Sequence, residues 1–456
     1  MRCRYQQNER KYDGVLQRGW YRGFIFNADF PVPDSAVAVL GLFYFTDKES
    51  SRLTSLVLFF FMGDTVSGDL PPERRQGAAP VLKRAKYYTR GRIIMEFMTG
   101  KTEKKTVLIS DILSGEYEGK EVLLNGAVHK IRDMGEVAFV VLRTREGLVQ
   151  TVYEEGTTTP ELKELCEEAA VTVKGTVALE ERAPQGFEIR AVSFEILSKP
   201  VEPMPIAINK WKMNTSLETK LDLRPLSLRN VKERAKFRVQ EGIVRGFRDY
   251  LHSQGFTEIH SPKIGARGAE GGANLFRLEY FHKHAVLAQS PQFYKQMMVG
   301  VFDRVFEAAP VFRAEKHNTK RHLNEYTSLD FEMGYIDSFE DIMEMETGFL
   351  QYTMKLLETE YAKELKMLGV TLPKVDEIPQ VRFDKAKELV AEKYNRKIRN
   401  PFDLEPEEES LIGQYFKEEM DADFVFVTHY PSKKRPFYAM DDPEDTNYTL
   451  SFDLLF

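Results

Sequence analysis

The segment RVFEAAPVFRAEKHNTKRHLNEYTSLDFEMGY (304–335) gathers cations, carboxylates and a ring in a pattern suited to a nucleotide. It reads as strand, polar loop, strand. Arg313 and Glu315 are two residues apart, so an extended chain carries both on one face. The loop KHNTKRHLN is dense in cations and hydrogen-bonding groups, and the second strand returns with Tyr326, Asp330 and Glu332. The planar fork of Arg313 suits a phosphate. Glu315 can accept from an exocyclic amine, and Tyr326 offers a ring face to a base. These are the parts of an ATP site built without a glycine-rich phosphate loop, and no GxxxxGK[ST] occurs in the chain. A solvated, charged hairpin would share this composition, so the segment must be weighed with its surroundings.

Those surroundings fall into zones. Residues 1–94 are heterogeneous, basic and punctuated by Pro and Gly, with isolated apolar bursts. From about Lys104 the pattern becomes regular. Residues 121–133, 136–155, 170–182 and 186–199 read as strands by β-branched content and partial alternation. TPELKELCEEAA (159–170) reads as a short helix, with Thr159 as cap and Pro160 in its first turn. Strands, one helix and more strands within about 100 residues fit a five-stranded OB barrel over 104–200, a fold that binds oligonucleotides. Residues 201–230 form a Pro-rich connector in which Trp211 reads as a packing anchor. A long amphipathic helix follows over 227–255, ended by Gly255. FTEIHSPKI (256–264) reads as a strand interrupted by Pro262, further strands flank the polar loop, and 340–369 reads as helix. Residues 231–456 thus predict an α+β domain with a mainly antiparallel sheet.

Composition bounds the function without naming it. The chain has 456 residues, 42% hydrophobic and 29% charged, so two or three ordinary globular domains are expected. A net charge of −6 gives no global basic field, which leaves room for a local RNA-binding surface. Two distant cysteines, Cys3 and Cys166, argue against a disulfide framework or a cysteine-rich metal site and fit a reducing cytoplasm. The apolar runs 37–46 and 53–63 are too short to span a bilayer as helices, so no membrane partner is expected.

Taken together, FTEIHSPKI, VFRAE with RHLNE, and the preceding barrel pattern resemble, in order, the archaeal-type aspartyl-tRNA synthetases, a branch of the class II enzymes. The resemblance covers residues 104–456. It implies an N-terminal OB-fold anticodon-binding barrel and a class II antiparallel-sheet catalytic domain. It implies a homodimer through motif 1, with Pro262 as its signature proline. Arg313, with Ala314 and Glu315, would meet ATP. Arg313 would also hold the substrate carboxylate, Glu315 would read adenine and Tyr326 would stack beneath it. Arg321, His322 and Leu323 would complete the ATP site, Arg321 and His322 at the terminal phosphates and His322 with a catalytic part. GAEGGANLF (268–276) is similar to the family's mobile loop, with Glu270 reading the ammonium. SPQFYKQ supplies Gln292 and Lys295, and Lys295 would pair with the side-chain carboxylate of L-aspartate. A neutral asparagine would leave that charge unpaired. Asp453 would hold Mg²⁺. The implied reaction makes aspartyl-adenylate from ATP and passes the aspartyl group to tRNA(Asp). His129 and Pro203 resemble the pair found in relaxed enzymes that also charge tRNA(Asn), whose product needs a tRNA-dependent amidotransferase. A binding-only paralogue and an asparaginyl-tRNA synthetase are the alternatives.

Two departures from the family set further expectations. The sequence ends at TLSFDLLF (449–456), where the family continues to a second metal-binding acid, an arginine for the aspartate side chain and motif 3. The expectation is a fragment that makes adenylate poorly. Residues 1–94 have no family counterpart and are expected to be a poorly ordered, translated leader. RGRIIMEFM (90–98) can be encoded with a ribosome-binding-site-like string, making Met95 or Met98 the start. RGWYRG (18–23) can be encoded with a string that resembles the antiterminator of T-box leaders, and LFFF (58–61) with the U-run that would follow.

Overall fold

The computed structural model describes residues 23–26, 37–46, 53–63, 86–88, 94–96 and 106–456, apart from 269–274, 316–322 and 437. The chain divides into two units, 1–103 and 104–456. In the first, β1 (Gly23–Phe26), β2 (Val37–Thr46) and β3 (Leu53–Gly63) form an antiparallel sheet, and β4 (Lys86–Tyr88) pairs with β5 (Ile94–Glu96). The two apolar runs therefore pair with each other. Most of the stretch expected to be a leader, including residues 18–22 of RGWYRG, lies outside the described residues.

The second unit opens with α1 (Ile109–Leu113) and a closed barrel of β6 (Glu121–Asp133), β7 (Val137–Arg143), β8 (Leu148–Glu154), β9 (Ala170–Leu179) and β10 (Phe187–Ser198). Strict alternation fills it: Val171, Val173 and Val177 of β9 point inward and join Leu124, Leu142 and Ile189 in the core. The expected run 136–155 is two strands, split by a turn in which Thr144 Oγ1 donates to the Gly147 carbonyl at 3.1 Å. The expected helix at 159–170 is absent, replaced by a three-residue 3₁₀ turn (Leu162–Glu164). Thr159 cannot cap a helix because its backbone bridges β10: its N–H donates to Val192 O at 3.2 Å, and its carbonyl accepts from Phe194 N at 2.7 Å. Trp211 is no packing anchor. It is 58% exposed, with the Lys232 ammonium 5.7 Å from its ring centroid.

Beyond short helices α2 (Leu217–Asp222) and α3 (Arg224–Ser227), α4 (Val231–Ser253) begins at Asn230, whose side chain accepts from Lys232 N and Glu233 N. Gly255, at φ +80°, ends the turn that follows. Pro262 separates β11 (Thr257–Glu258) from β12 (Ile264–Gly265), as its missing N–H requires. β13 (Arg277–Tyr280) and β14 (Lys283–Leu287) form a hairpin that leads to α5 (Gln292–Phe302). The central sheet is β11 beside β15 (Arg304–Phe312) beside β16 (Glu325–Met333). The expected helix at 340–369 is interrupted at Tyr361, giving α6 (Glu340–Glu360) and α7 (Ala362–Leu368). The last part folds β17 (Gln380–Arg382), α8 (Phe383–Lys393), α9 (Pro406–Met420), β18 (Val425–Thr428) and β19 (Phe452–Leu455) around Phe383, Ile412 and Val427.

Helices α4 and α6 cross at very short range because Gly242 and Gly246 lie on the contact. A β-carbon at Gly246 would stand 2.5 Å from Thr353 Oγ1, and one at Gly242 would stand 2.7 Å from Leu357 Cδ2. Gly246→Ala should therefore destabilise the fold by about 1–3 kcal/mol. Adding Thr353→Ala should recover part of that loss, measured as the shift in denaturation midpoint of the single and double variants.

Candidate active site

The site is built on one ladder. Along β15 and β16, Val305, Glu307, Ala309 and Val311 stand opposite Glu332, Asp330, Ser328 and Tyr326. Opposed residues share a face, so Glu307, Tyr326, Asp330 and Glu332 project from one side, and Arg313 continues that parity just past the end of β15. The reverse face presents Phe306, Ala308, Leu329, Phe331 and Met333 to Phe247, Leu251 and Phe256. That greasy contact fixes which way the polar row points.

At one end of the row sits Lys295, in the first turn of α5 and only 7% exposed. Its ammonium lies 3.1 Å from Asp330 Oδ1 and 3.9 Å from Glu332 Oε2. Gln292, three residues earlier and so on the same helix face, donates from Nε2 to Glu332 Oε2 at 3.1 Å. Burial pushes the Glu332 carboxyl above its ordinary range, against the pull of Lys295 and Gln292, and Asp330 adds to the push. The second oxygen of Asp330 is buried without a hydrogen-bond partner. An unsatisfied buried acceptor beside a buried cation is a costly arrangement. It suits a ligand carrying an ammonium and a carboxylate.

Glu307 was not singled out by its sequence context, an apolar run. It is 2% exposed and accepts from Ser261 N and Ser261 Oγ, both at 2.6 Å, and from Lys263 Nζ at 2.9 Å. The carbonyl of Lys263 in turn accepts from Ala288 N at 2.9 Å. Glu307 thus ties the Pro262 segment to the sheet and, through Lys263, to the strand end leading into α5. A carboxylate in the run VFEAAP was the available signal.

At the other end, the Arg313 guanidinium stands 6.0 Å from the Tyr326 ring centroid, and its Nε donates to Gln289 O at 3.4 Å. Asn324 closes the hairpin: its Nδ2 donates to Arg313 O at 2.9 Å and to Glu315 O at 3.1 Å. Sequence reading passed over this asparagine. Ala314 and Glu315 are half-buried, and Leu323 is exposed. Tyr326 and Asp330 are four strand residues apart, roughly 13 Å. That leaves room for a nucleotide at one end and an amino acid at the other. Glu270, Arg321 and His322 lie outside the described residues.

Asp453 sits elsewhere, on β19, opposite Val427. Its Oδ2 is 3.0 Å from Arg435 Nη2. Burial, reinforced by the Asp453 charge, pushes the nearby Glu346 carboxyl up to about 7. Among the described residues no group of three His, Cys, Asp or Glu is placed to hold a metal. Mg²⁺ is commonly held by one or two carboxylates beside substrate phosphates, and Asp453 with its neighbour Glu346 is a pair of that kind.

The pair expected to read tRNA splits in the structure, one member open to solvent and the other buried. Pro203 is exposed on the connector, but His129 is 6% exposed. The ladder shifts register between Val128 and Lys130, and Val128 and His129 are buried in succession. Burial and then the Arg143 charge lower the imidazole pKa to about 4, and Nδ1 has no hydrogen-bond partner. A side chain so placed is not available to an anticodon base.

Two family models match the chain. One, for class II tRNA synthetases (D, K and N), covers residues 216–456, and the other, for the OB-fold nucleic acid binding domain, covers 122–197. The chain belongs to the class II tRNA synthetases, with an OB-fold anticodon-binding domain ahead of the catalytic one. It is 47% identical over 75% of its length to the aspartate–tRNA(Asp/Asn) ligase of Deinococcus radiodurans, covering 78% of that protein. It is 38% identical over 76% of its length to the aspartate–tRNA(Asp) ligase of Pyrococcus horikoshii, covering 80% of it. Among solved structures, asparaginyl-tRNA synthetase from Pyrococcus horikoshii complexed with asparaginyl-adenylate superposes with a TM-score of 0.66 at 32% identity, covering 74% of this chain and 78% of that one.

The buried imidazole makes a pH prediction. Its folded pKa of about 4 lies below the ordinary 6.5, so between these values the unfolded chain binds the extra proton. Stability is then lost as pH falls from 6.5 toward 4. His129→Leu should remove on the order of 2 kcal/mol of that acid-side loss. Denaturant midpoints of both proteins at pH 7 and pH 4.5 check it.

Proposed function

We propose that the chain attaches L-aspartate to tRNA(Asp) and also to tRNA(Asn), through an aspartyl-adenylate made from ATP. The observation that carries the amino-acid assignment is Lys295, buried and poised beside the unsatisfied oxygen of Asp330. Lys295 has donors to spare after Asp330, and a β-carboxylate would take one. A carboxamide would turn either a weaker acceptor or an N–H₂ toward the ammonium. Asp330 Oδ2 would receive the substrate ammonium, in the role the resemblance gives to Glu270.

An α-carboxylate oxygen of aspartate attacks the α-phosphorus of ATP in line, and the bond to pyrophosphate breaks. A terminal ribose hydroxyl of tRNA then attacks the aspartyl carbonyl, and AMP leaves. The chemistry asks chiefly for positioning and charge neutralisation. Arg313 would bridge the α-phosphate and the attacking carboxylate. Tyr326 and Glu315 would hold adenine, with Ala314, Leu323, Arg321 and His322 completing the nucleotide site. Mg²⁺ is expected in such a reaction, and Asp453 with its neighbour Glu346 would hold it beside the phosphates; the roles above rest on side chains alone.

Breadth toward tRNA(Asn) is supported by the greater likeness to a ligase named for both tRNAs, not by His129. A tRNA-dependent amidotransferase would convert the Asp-tRNA(Asn). A homodimer is supported by exposed apolar side chains, Phe237 and Ile243 of α4 and Phe293, Met297 and Val301 of α5. We assign the reaction to the cytoplasm, where tRNA charging supplies translation.

Binding of a non-hydrolysable aspartyl-adenylate analogue provides the test. Lys295→Met should weaken it about 100-fold and erase preference over the asparaginyl analogue, while ATP alone binds as before. Equal affinity of the unaltered protein for the two analogues would overturn the aspartate assignment. Charging of tRNA(Asp) but not tRNA(Asn) transcripts with aspartate would remove the broader reading.

A further inference from the structure

Glu168 lies between the barrel and the catalytic domain and takes part in no step above. Its side chain is 1% exposed. Within the barrel, Arg143 grips it with both terminal nitrogens, Nη1 to Oε1 at 2.5 Å and Nη2 to Oε2 at 2.8 Å. From the end of the connector, just ahead of α4, Arg229 Nη1 donates to Oε2 at 2.8 Å. The three hydrogen bonds hold the carboxyl below its ordinary range despite burial. The backbone of Glu168 has φ +67°, a conformation that costs a residue with a β-carbon. Its N–H donates to Val128 O at 2.7 Å. A non-glycine residue kept in that conformation by its own side-chain contacts suggests a constraint beyond packing.

The neighbourhood repeats the connection. Arg234 on α4 donates to Thr144 O at 3.0 Å, and Lys363 on α7 donates to Glu146 O at 3.0 Å, both in the β7–β8 turn. Asn209 of the connector donates to Glu167 at 2.5 Å. Asn230, the cap of α4, donates to Ile208 O at 2.9 Å and Lys210 O at 2.7 Å. Arg229 precedes that cap directly. From it α4, 23 residues long, carries Phe247 and Leu251 near its far end, beneath the site-bearing sheet. One rigid helix, roughly 35 Å long, therefore joins the Glu168 clamp to the floor of the site.

We propose that Glu168 is a positioning residue, a clamp that fixes the barrel on the head of α4 so that a tRNA held by the barrel presents its end at the adenylate site. The proposal rests on the aminoacylation reading given above. Because Arg143 satisfies Glu168 from within the barrel, Arg229 is the arm that can be cut without leaving a buried charge alone, and its side chain is 43% exposed.

The test uses the whole chain, with Arg229→Gln as the main variant and Glu168→Gln as the second. Two exposed sites, Met134 on the barrel and Tyr335 on the catalytic domain, are replaced by cysteine for distance labels, with Cys3 and Cys166 replaced by serine. In Arg229→Gln the label distances should broaden and tRNA affinity should fall about fivefold or more, while the aspartyl-adenylate analogue binds within about twofold of the unaltered chain. Arg229→Lys should restore most of the tRNA affinity. Unchanged label distances with unchanged tRNA affinity would overturn the clamp. So would an equal loss of tRNA and analogue binding, which would mark a general structural role. Failure of the unaltered chain to prefer the aspartyl analogue would count against the substrate assignment alone, since the distance and tRNA arms do not depend on it. If Glu168→Gln unfolds, Arg229→Gln decides the matter.

Discussion

The register of the β15–β16 ladder is the constraint on which the rest depends. Side chains alternate along a strand, so a slip of one residue would exchange its two faces. Here one face is Phe306, Ala308, Leu329 and Phe331, and the other carries Glu307, Asp330, Glu332 and Tyr326. A slip of one strand against α4 would bury its carboxylates in the Phe247–Leu251–Phe256 cluster. The penalty for unpaired charge there is large. The apolar face thus specifies the polar one, and the position of every substrate-facing group on the hairpin follows from hydrophobic packing on its far side.

Charge burial shows what that packing makes possible. Glu307, Lys295 and Glu168 are each nearly inaccessible, and each is held by hydrogen-bonded partners of opposite charge. So are Lys387 and Glu408 in the C-terminal part, at 2.7 Å. A buried ion pair adds little net stability, yet losing one member is costly. Such pairs therefore define geometry more than they contribute stability. Asp330 departs from this pattern because one of its oxygens is unsatisfied. Among the charged pairs of the ladder it has capacity left, and it stands next to Lys295.

Much of this was legible in the sequence where a local pattern coincided with a tertiary one. β6 matches its expected bounds, the stop of α4 was visible in Gly255 although the helix begins at the Asn230 cap and not at the expected 227, and β15 and β16 stood out by composition. Gln292 and Lys295 were found from a short motif, and the structure brings both to Glu332. What stayed hidden depends on distant partners. Thr159 looked like a helix cap, and only β10 makes it a strand residue. Glu307 looked like an interruption in an apolar run, and only Ser261 and Lys263 give it a purpose. Asn324 closes a hairpin whose ends are eleven residues apart in the pair it bridges.

His129 shows how a correct strand assignment still misplaces a side chain. In an unbroken ladder, Val128 inside would put residue 129 outside, where RNA could reach it. The bulge adds one residue, and both Val128 and His129 end up buried. It lies where Val128 exchanges backbone hydrogen bonds with Glu168 and Ala169: Val128 N donates to Ala169 O, and Glu168 N donates to Val128 O. Glu168 can reach Val128 because its backbone is left-handed, and the two arginines hold its side chain in that position. The burial of His129 and the clamp on Glu168 are thus parts of one local geometry. An imidazole that resembled an RNA contact in sequence instead packs behind the joint that sets where the barrel stands.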